Sequence, residues 1–189
     1  TLNIDVELVE EAVTSRTRAI LPVHYGGVGC DMDALMAVAN RHRLAVLEDA
    51  AHAIGSTWKG IELGTFGSIA ALSFHETKNV TCGEGGALVI NDPGLVGAAE
   101  ILQEKGTNRS AFFRGEVDKY TWVDVGSSFV MSDINAAFLL AQLEHLDEVN
   151  RERIAIWDAY MEAFEGLEQR GLVRRPVVPA GATHNGHLF

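Results

Sequence analysis

Four residues stand where chemistry would need them: Lys78, Asp49, His52 and Ser73. Lys78 lies in a polar loop between two apolar runs, Ile69–Phe74 and Ala87–Ile90. An ordinary solvated loop lysine accounts for that position. So does a lysine held at the mouth of a sheet, where desolvation lowers the ammonium pKa and frees the amine for Schiff-base chemistry. Asp49 follows the apolar run Leu44–Leu47, so it falls at a strand end. There it either caps the next turn or pairs with a protonated heteroaromatic nitrogen, which makes the ring an electron sink. His52 is either a satisfied core histidine or a neighbour of the same ring. An aspartate at one strand end and a lysine at another is the pairing that pyridoxal phosphate (PLP) chemistry requires. Ser73, at the end of the strand leading into the lysine loop, either satisfies local backbone or binds a cofactor phosphate. Gly83, Gly85 and Gly86 allow a tight turn, beside a bulky cofactor or simply between two strands.

The elements around these residues read as α/β. Asp5 and Asp31 can cap helices, the first with Val6, Val9 and Val13 on one face, the second with Met32, Leu35, Met36 and Ala39. A strand is expected over 17–24 and another over 44–47, giving the strand–helix–strand unit of a parallel sheet. The second strand leads into Glu48, Asp49 and His52, so two carboxylates and an imidazole are expected just past its end, where open α/β sheets bind ligands. Strands over 68–74 and 86–90 flank the lysine loop, and Trp58-Lys59-Gly60 reads as a turn. Asp92-Pro93 starts a helix that continues over 95–105 and stops at Gly106. Residues 106–128 read as a long polar and aromatic loop of the kind that serves function or an interface. Ser132 caps a helix to His145, and Val149–Phe164 forms an amphipathic one. Composition shifts to Gly, Pro and Arg from Gly166 onward, and His187-Leu188-Phe189 reads as the start of a further strand. Both ends read as cut.

Composition narrows the partners. The chain has 189 residues, 47% of them hydrophobic, enough for a sizeable core. A formal net charge of -11 without any basic run argues against nucleic acid or an anionic membrane surface. Two unpatterned cysteines, Cys30 and Cys82, fit a reducing, cytoplasmic setting. No apolar stretch is long enough to span a bilayer, and no targeting segment is expected. Gly27-Val28-Gly29 lacks the last glycine of a dinucleotide fingerprint, and His75-Glu76-Thr77-Lys78-Asn79 has Asn79 where a zinc-protease motif needs its second histidine.

The stretches E-D-A-A-H-A-I-G at 48–55, S-F-H-E-T-K-N at 73–79, G-E-G-G-A at 83–87 and M-S-D-I-N-A-A at 131–137 resemble the DegT/DnrJ/EryC1/StrS family of PLP-dependent sugar aminotransferases. That resemblance implies a fold-type I, aspartate aminotransferase-like large domain, incomplete, over 1–147. A linking helix and the beginning of the small C-terminal domain follow over 148–189. It makes Lys78 the lysine that joins the cofactor and moves protons, and Asp49 the partner of the pyridine nitrogen. His52 lies near the phenolic oxygen, Ser73 is a phosphate ligand, and Ser128 stands where many members reach a phosphate across a homodimer interface with Asn. Residues 105–122 resemble the branch that forms dTDP-4-amino-4,6-dideoxygalactose for enterobacterial common antigen. The implied reaction moves an amino group from L-glutamate to the 4-keto carbon of a nucleotide-linked sugar, dTDP-4-keto-6-deoxyhexose. Two other readings stay open: a nucleotide-sugar dehydratase of the same family, which typically has histidine in place of Lys78, and a non-catalytic α/β binding module.

Overall fold

Asp5 and Asp31 begin the two helices that the spacing predicts. Asp5 accepts the Glu7 N–H at 3.1 Å and opens α1, Val6–Ala12. Asp31 accepts the Ala34 N–H at 3.0 Å and opens α2, Met32–His42. Each carboxylate satisfies one of the N–H groups that a helix start leaves without a partner. Met32, Leu35 and Ala39 are buried, and Met36 packs at the edge of the same cluster. The computed structural model describes residues 1–189.

Four strands form the main sheet: β1 (Ala19–Ile20), β2 (Ala45–Asp49), β5 (Ile69–Ser73) and β6 (Gly86–Ile90), in the order β1-β2-β5-β6. The first three run parallel, and β6 returns antiparallel to β5. The strand expected over 17–24 is thus cut short. Pro22 has no N–H for the ladder; its carbonyl still accepts the Asp49 N–H at 2.9 Å, and pairing resumes as a single bridge between Val23 and Asp49.

A second, small sheet pairs β3 (Thr57–Trp58) with β4 (Ile61–Glu62) and β7 (Ala182–Thr183), all antiparallel. Lys59 and Gly60 make the expected turn, both with positive φ (49° and 80°), the backbone that a tight hairpin favours. The strand expected at 187–189 does not form. The His187 carbonyl accepts from Arg153 and the Leu188 carbonyl from Trp157 Nε1, so side chains hold the groups that a ladder would use.

Asp92 caps a 3₁₀ turn, Pro93–Leu95, that leads into α3, Val96–Gln103. The expected loop after it contains a short helix, α4 (Arg109–Phe113), and closes on itself. Asn108 accepts the Thr121 N–H at 2.8 Å and donates to the Lys119 carbonyl at 3.0 Å. Ser132 then caps α5, Asp133–Leu143, followed by α6, Leu146–Ala163, and α7, Glu165–Gln169. One apolar core joins α1, α2, β1, β2 and Trp58; a smaller one, Phe74, Val80, Cys82 and Leu139, lies under the lysine loop.

Between core and sheet lies a fully buried pair, His24 and Glu48, 3.0 Å apart. The Cys30 N–H donates to His24 Nδ1 at 3.2 Å, so the ring's own proton sits on Nε2 and points at Glu48. Glu48 also accepts the N–H groups of Gly64, Phe66 and Gly67 at 2.7–2.8 Å. Burial pushes the carboxyl pKa up, but the His24 bond and these three N–H groups outweigh burial and hold it below the ordinary 4.5. A group so lowered contributes stability above its unfolded pKa and loses it as pH falls through the folded value. Glu48→Gln in the full-length protein that carries this chain should cost about 3 kcal/mol or more at neutral pH. It should also flatten the acid limb below pH 4.5. Urea unfolding across pH checks both, and matching midpoints for the two proteins would remove Glu48 from this role.

Candidate functional site

Because β2 and β5 are parallel neighbours, they end at the same edge of the sheet. Asp49 pairs with Ala71, so Asp49, Ala71 and Ser73 face one side while Glu48 and Ala70 face the other. This corrects the expectation of two carboxylates beside the imidazole: Glu48 turns into the buried pair with His24, and Asp49 alone stays at the open edge. Asp49 Oδ1 accepts the Ala51 N–H at 3.0 Å, and Oδ2 has no protein partner.

His52 lies within electrostatic reach of Asp49 and Lys78 at this edge. The Gly26 N–H donates to His52 Nδ1 at 3.2 Å, which leaves the ring proton on Nε2. Gly26 reaches that position at φ 66°, a backbone that favours glycine. Burial lowers the His52 pKa, the Lys78 charge lowers it further, and the Asp49 charge opposes both. His52 is therefore neutral at pH 7, and both charged groups lie within its electrostatic reach.

Lys78 is half-buried, on a loop clamped at both ends. At the neck, the Phe74 N–H donates to the Gly85 carbonyl at 2.8 Å and the Cys82 N–H to the Phe74 carbonyl at 2.9 Å. Beyond the lysine, Asn79 and Val80 are buried. Ser73 Oγ accepts only a 3.4 Å bond from the His75 N–H, so its own proton is free to donate outward. Gly83 turns at φ 82° with open space around it. A Cβ on Gly85, by contrast, would meet Cys82 Sγ at 2.4 Å, so that glycine serves packing of the loop.

Lys78, Asp49, His52 and Ser73 thus share one sheet edge. Ser128 does not join them: it is exposed, bridged through its backbone to Glu104, and has no hydrogen bond to any of the four.

Sequence reasoning missed a buried polar network directly behind Lys78. Asn79 Nδ2 donates to Asn150 Oδ1 and to the Asn185 carbonyl, each at 2.8 Å, and Asn79 Oδ1 lies 2.8 Å from His187 Nδ1. Asn185 Nδ2 donates to the carbonyls of His52 (2.8 Å) and Ile54 (3.0 Å). The His187 ring lies against the His52 ring, with centroids 4.3 Å apart. Only the amide type of Asn79, next to the lysine, hinted at this; its partners lie 71 to 108 residues away.

The mixed α/β fold of the chain matches solved structures of PLP-dependent aminotransferases. A model of the DegT/DnrJ/EryC1/StrS aminotransferase family matches residues 1–189, and the chain belongs to that family. It is 41% identical over its whole length to the spore coat polysaccharide biosynthesis protein SpsC of Bacillus subtilis, of which it covers 49%. Among solved structures it resembles DesV of S. venezuelae, with a TM-score of 0.84 and 37% identity over 99% of this chain and 47% of that one. It also resembles PseC of Helicobacter pylori, an aminotransferase of pseudoaminic acid biosynthesis, with a TM-score of 0.84 and 26% identity over 98% of this chain and 48% of that one. The chain spans about half the length of the curated relatives it matches.

His187 is the most perturbed histidine. Burial, then the charges of His52, Lys78 and Arg153, push it down to about 4; burial lowers His184 as well. The unfolded chain therefore takes up protons first, and docking of residues 182–189 is strongest above the ordinary 6.5 and weakens as pH falls toward 4. Hydrogen exchange of these residues, corrected for intrinsic rate, should quicken from about pH 7 to about pH 5 more than that of β2 and β5. Equal acceleration throughout the chain would contradict this.

Proposed function

We propose that the full-length protein is a PLP-dependent aminotransferase that transfers an amino group from L-glutamate to a nucleotide-linked keto sugar, the 4-keto carbon of a dTDP-4-keto-6-deoxyhexose. The product is then dTDP-4-amino-4,6-dideoxygalactose. The observation that carries this reading is the convergence of Lys78, Asp49, His52 and Ser73 on one sheet edge. Family membership and the aminotransferase relatives support the reaction class. The choice of sugar carbon and nucleotide rests on the resemblance of residues 105–122.

The residues present fit PLP. Asp49 Oδ2 has no protein partner, the form in which a carboxylate can hold a ring nitrogen protonated. Ser73 keeps a free hydroxyl proton for a phosphate oxygen. His52 presents Nε2–H as a donor, suited to a phenolic oxygen. When bound, PLP supplies an electrophilic aldehyde and a ring that withdraws electrons. Lys78 would contribute the amine that holds the aldehyde and the base that takes and returns a proton at the donor α-carbon. The carboxylate of Asp49 would hold the ring nitrogen in its protonated form, and His52, being neutral, would add no competing charge beside Lys78.

We further read residues 1–147 as part of the PLP-binding large domain and 148–189 as the linking helix and the start of a smaller one. The working unit is read as a homodimer in which Ser128 reaches a phosphate of the neighbouring site. Exposed apolar side chains from Phe129 through Val130, Ile134 and Phe138 support this reading, because they lie beside Ser128 and lack cover. No helix is long and apolar enough to cross a membrane. Both cysteines are free and buried, which fits the cytoplasm.

Full-length protein mixed with PLP should develop a visible absorbance band that Lys78→Ala abolishes and Asp49→Asn weakens together with turnover. Incubation with glutamate and a panel of dTDP-4-keto and dTDP-3-keto sugars should release 2-oxoglutarate with the 4-keto substrate. An unchanged band in the Lys78 variant would sink the cofactor assignment, and release with the 3-keto sugars alone would move the amination to C3.

A further inference from the structure

We infer that His187 is a positioning residue for the lysine site: it holds Asn79, the residue after Lys78, through one ring nitrogen and backs the His52 ring with its face. Two contacts carry this. His187 Nδ1 lies 2.8 Å from Asn79 Oδ1. Its ring centroid lies 4.3 Å from that of His52, with planes tilted by 33°.

The protonation states around it are set by their partners. Both Asn79 Nδ2 protons are used, on Asn150 and on the Asn185 carbonyl, so the oxygen faces His187 and must accept. His187 therefore donates from Nδ1. Burial keeps the ring neutral, and the groups facing it, His52, Lys78 and Arg153, all oppose a second proton.

The backbone that carries the ring is itself held. Its backbone N–H donates to Asn185 Oδ1 at 3.1 Å, its carbonyl accepts from Arg153 Nη2 at 2.9 Å, and Asn185 is anchored on the carbonyls of His52 and Ile54. A segment over a hundred residues from the lysine in sequence thus reaches the side chain of the residue after Lys78 and the imidazole of His52.

A histidine that served only to fill space would need neither contact. Phenylalanine could stack on His52 equally well, but it would leave the buried Asn79 oxygen without a donor. Glutamine could donate to Asn79, but it offers little ring face. The two contacts are therefore separable by substitution.

The inference rests on the reading of Lys78 as the PLP lysine, and the full-length protein can test the two independently. With PLP bound, His187→Phe should shift the pH midpoint of the visible band by about half a unit or more. It should also lower kcat by about tenfold or more with a smaller change in KM, as a misplaced reacting group does. His187→Gln should recover most of the midpoint shift. Melting without PLP reports whether each variant folds. Folded variants that keep the wild-type midpoint and kcat would overturn the positioning role and leave the Lys78 assignment intact. A wild-type protein that develops no band with PLP would overturn both. Should neither variant fold, ¹⁵N spectra of the wild-type histidines decide: the His187 ring must carry its proton on Nδ1 and respond to added PLP. A proton on Nε2, or no response, would overturn the inference.

Discussion

The buried carboxylate of Glu48 is the interaction on which the arrangement depends. Glu48 and Asp49 are adjacent acids on one strand, and strand geometry sends them to opposite faces. The inward one gathers His24 and three N–H groups from the 64–67 loop. A buried, charge-assisted hydrogen-bonded pair of this kind gives little net stability against an apolar replacement, but removing one partner strands the other. Its effect is on register. With four groups converging on one side chain's two oxygens, a one-residue slip of β2 would place Asp49 in the core and Glu48 at the open edge. The outward position of Asp49 is thus fixed by the residue beside it.

The same logic holds Lys78. A flexible side chain can serve as a nucleophile only if its backbone is held, and the loop is held in two different ways. On one side an apolar cluster of Phe74, Val80, Cys82 and Leu139 closes its neck. On the other, Asn79 joins Asn150, Asn185 and His187 in a buried amide network whose members are nearly all satisfied. Apolar packing tolerates small shifts, whereas hydrogen bonds between planar groups do not. The network is therefore the part that fixes direction, and it recruits α6 and the 182–189 segment to do so.

Local signals made much of this legible. Caps at Asp5, Asp31 and Ser132, the apolar faces of α2 and the runs around the lysine loop all depend on neighbours within a few residues, and they stand where the spacing puts them. Strand-end positions for Asp49 and Ser73 followed from the same runs. What sequence spacing could not carry was the choice of partner over long range. Glu48 and Asp49 look alike until β2 is paired, and the His24–Glu48 bond spans 24 residues. His187 looked like the opening of a strand because its apolar neighbours favour one. Arg153 and Trp157, both on α6, take the carbonyls that a strand would need. Gly85 suited a cofactor turn by type, and only the approach of Cys82 shows that packing demands it.

The 106–122 excursion arranges its charged side chains in a way its composition conceals. Its arginines invite assignment as ligands for a sugar nucleotide's phosphates. Yet Arg109 is paired with Glu104, and Arg114 with both Glu100 and Glu116. These pairs are largely exposed, so each is worth little to stability. They still mean that a diphosphate approaching this surface meets carboxylates already on the guanidinium groups and must displace them, a cost in charge repulsion that a neutral sugar does not incur. Asn108, whose side chain bonds Thr121 and Lys119, shapes the excursion. Lys78, Asp49, His52 and Ser73 thus stand at the sheet edge, while the arginines of the excursion are held in internal ion pairs.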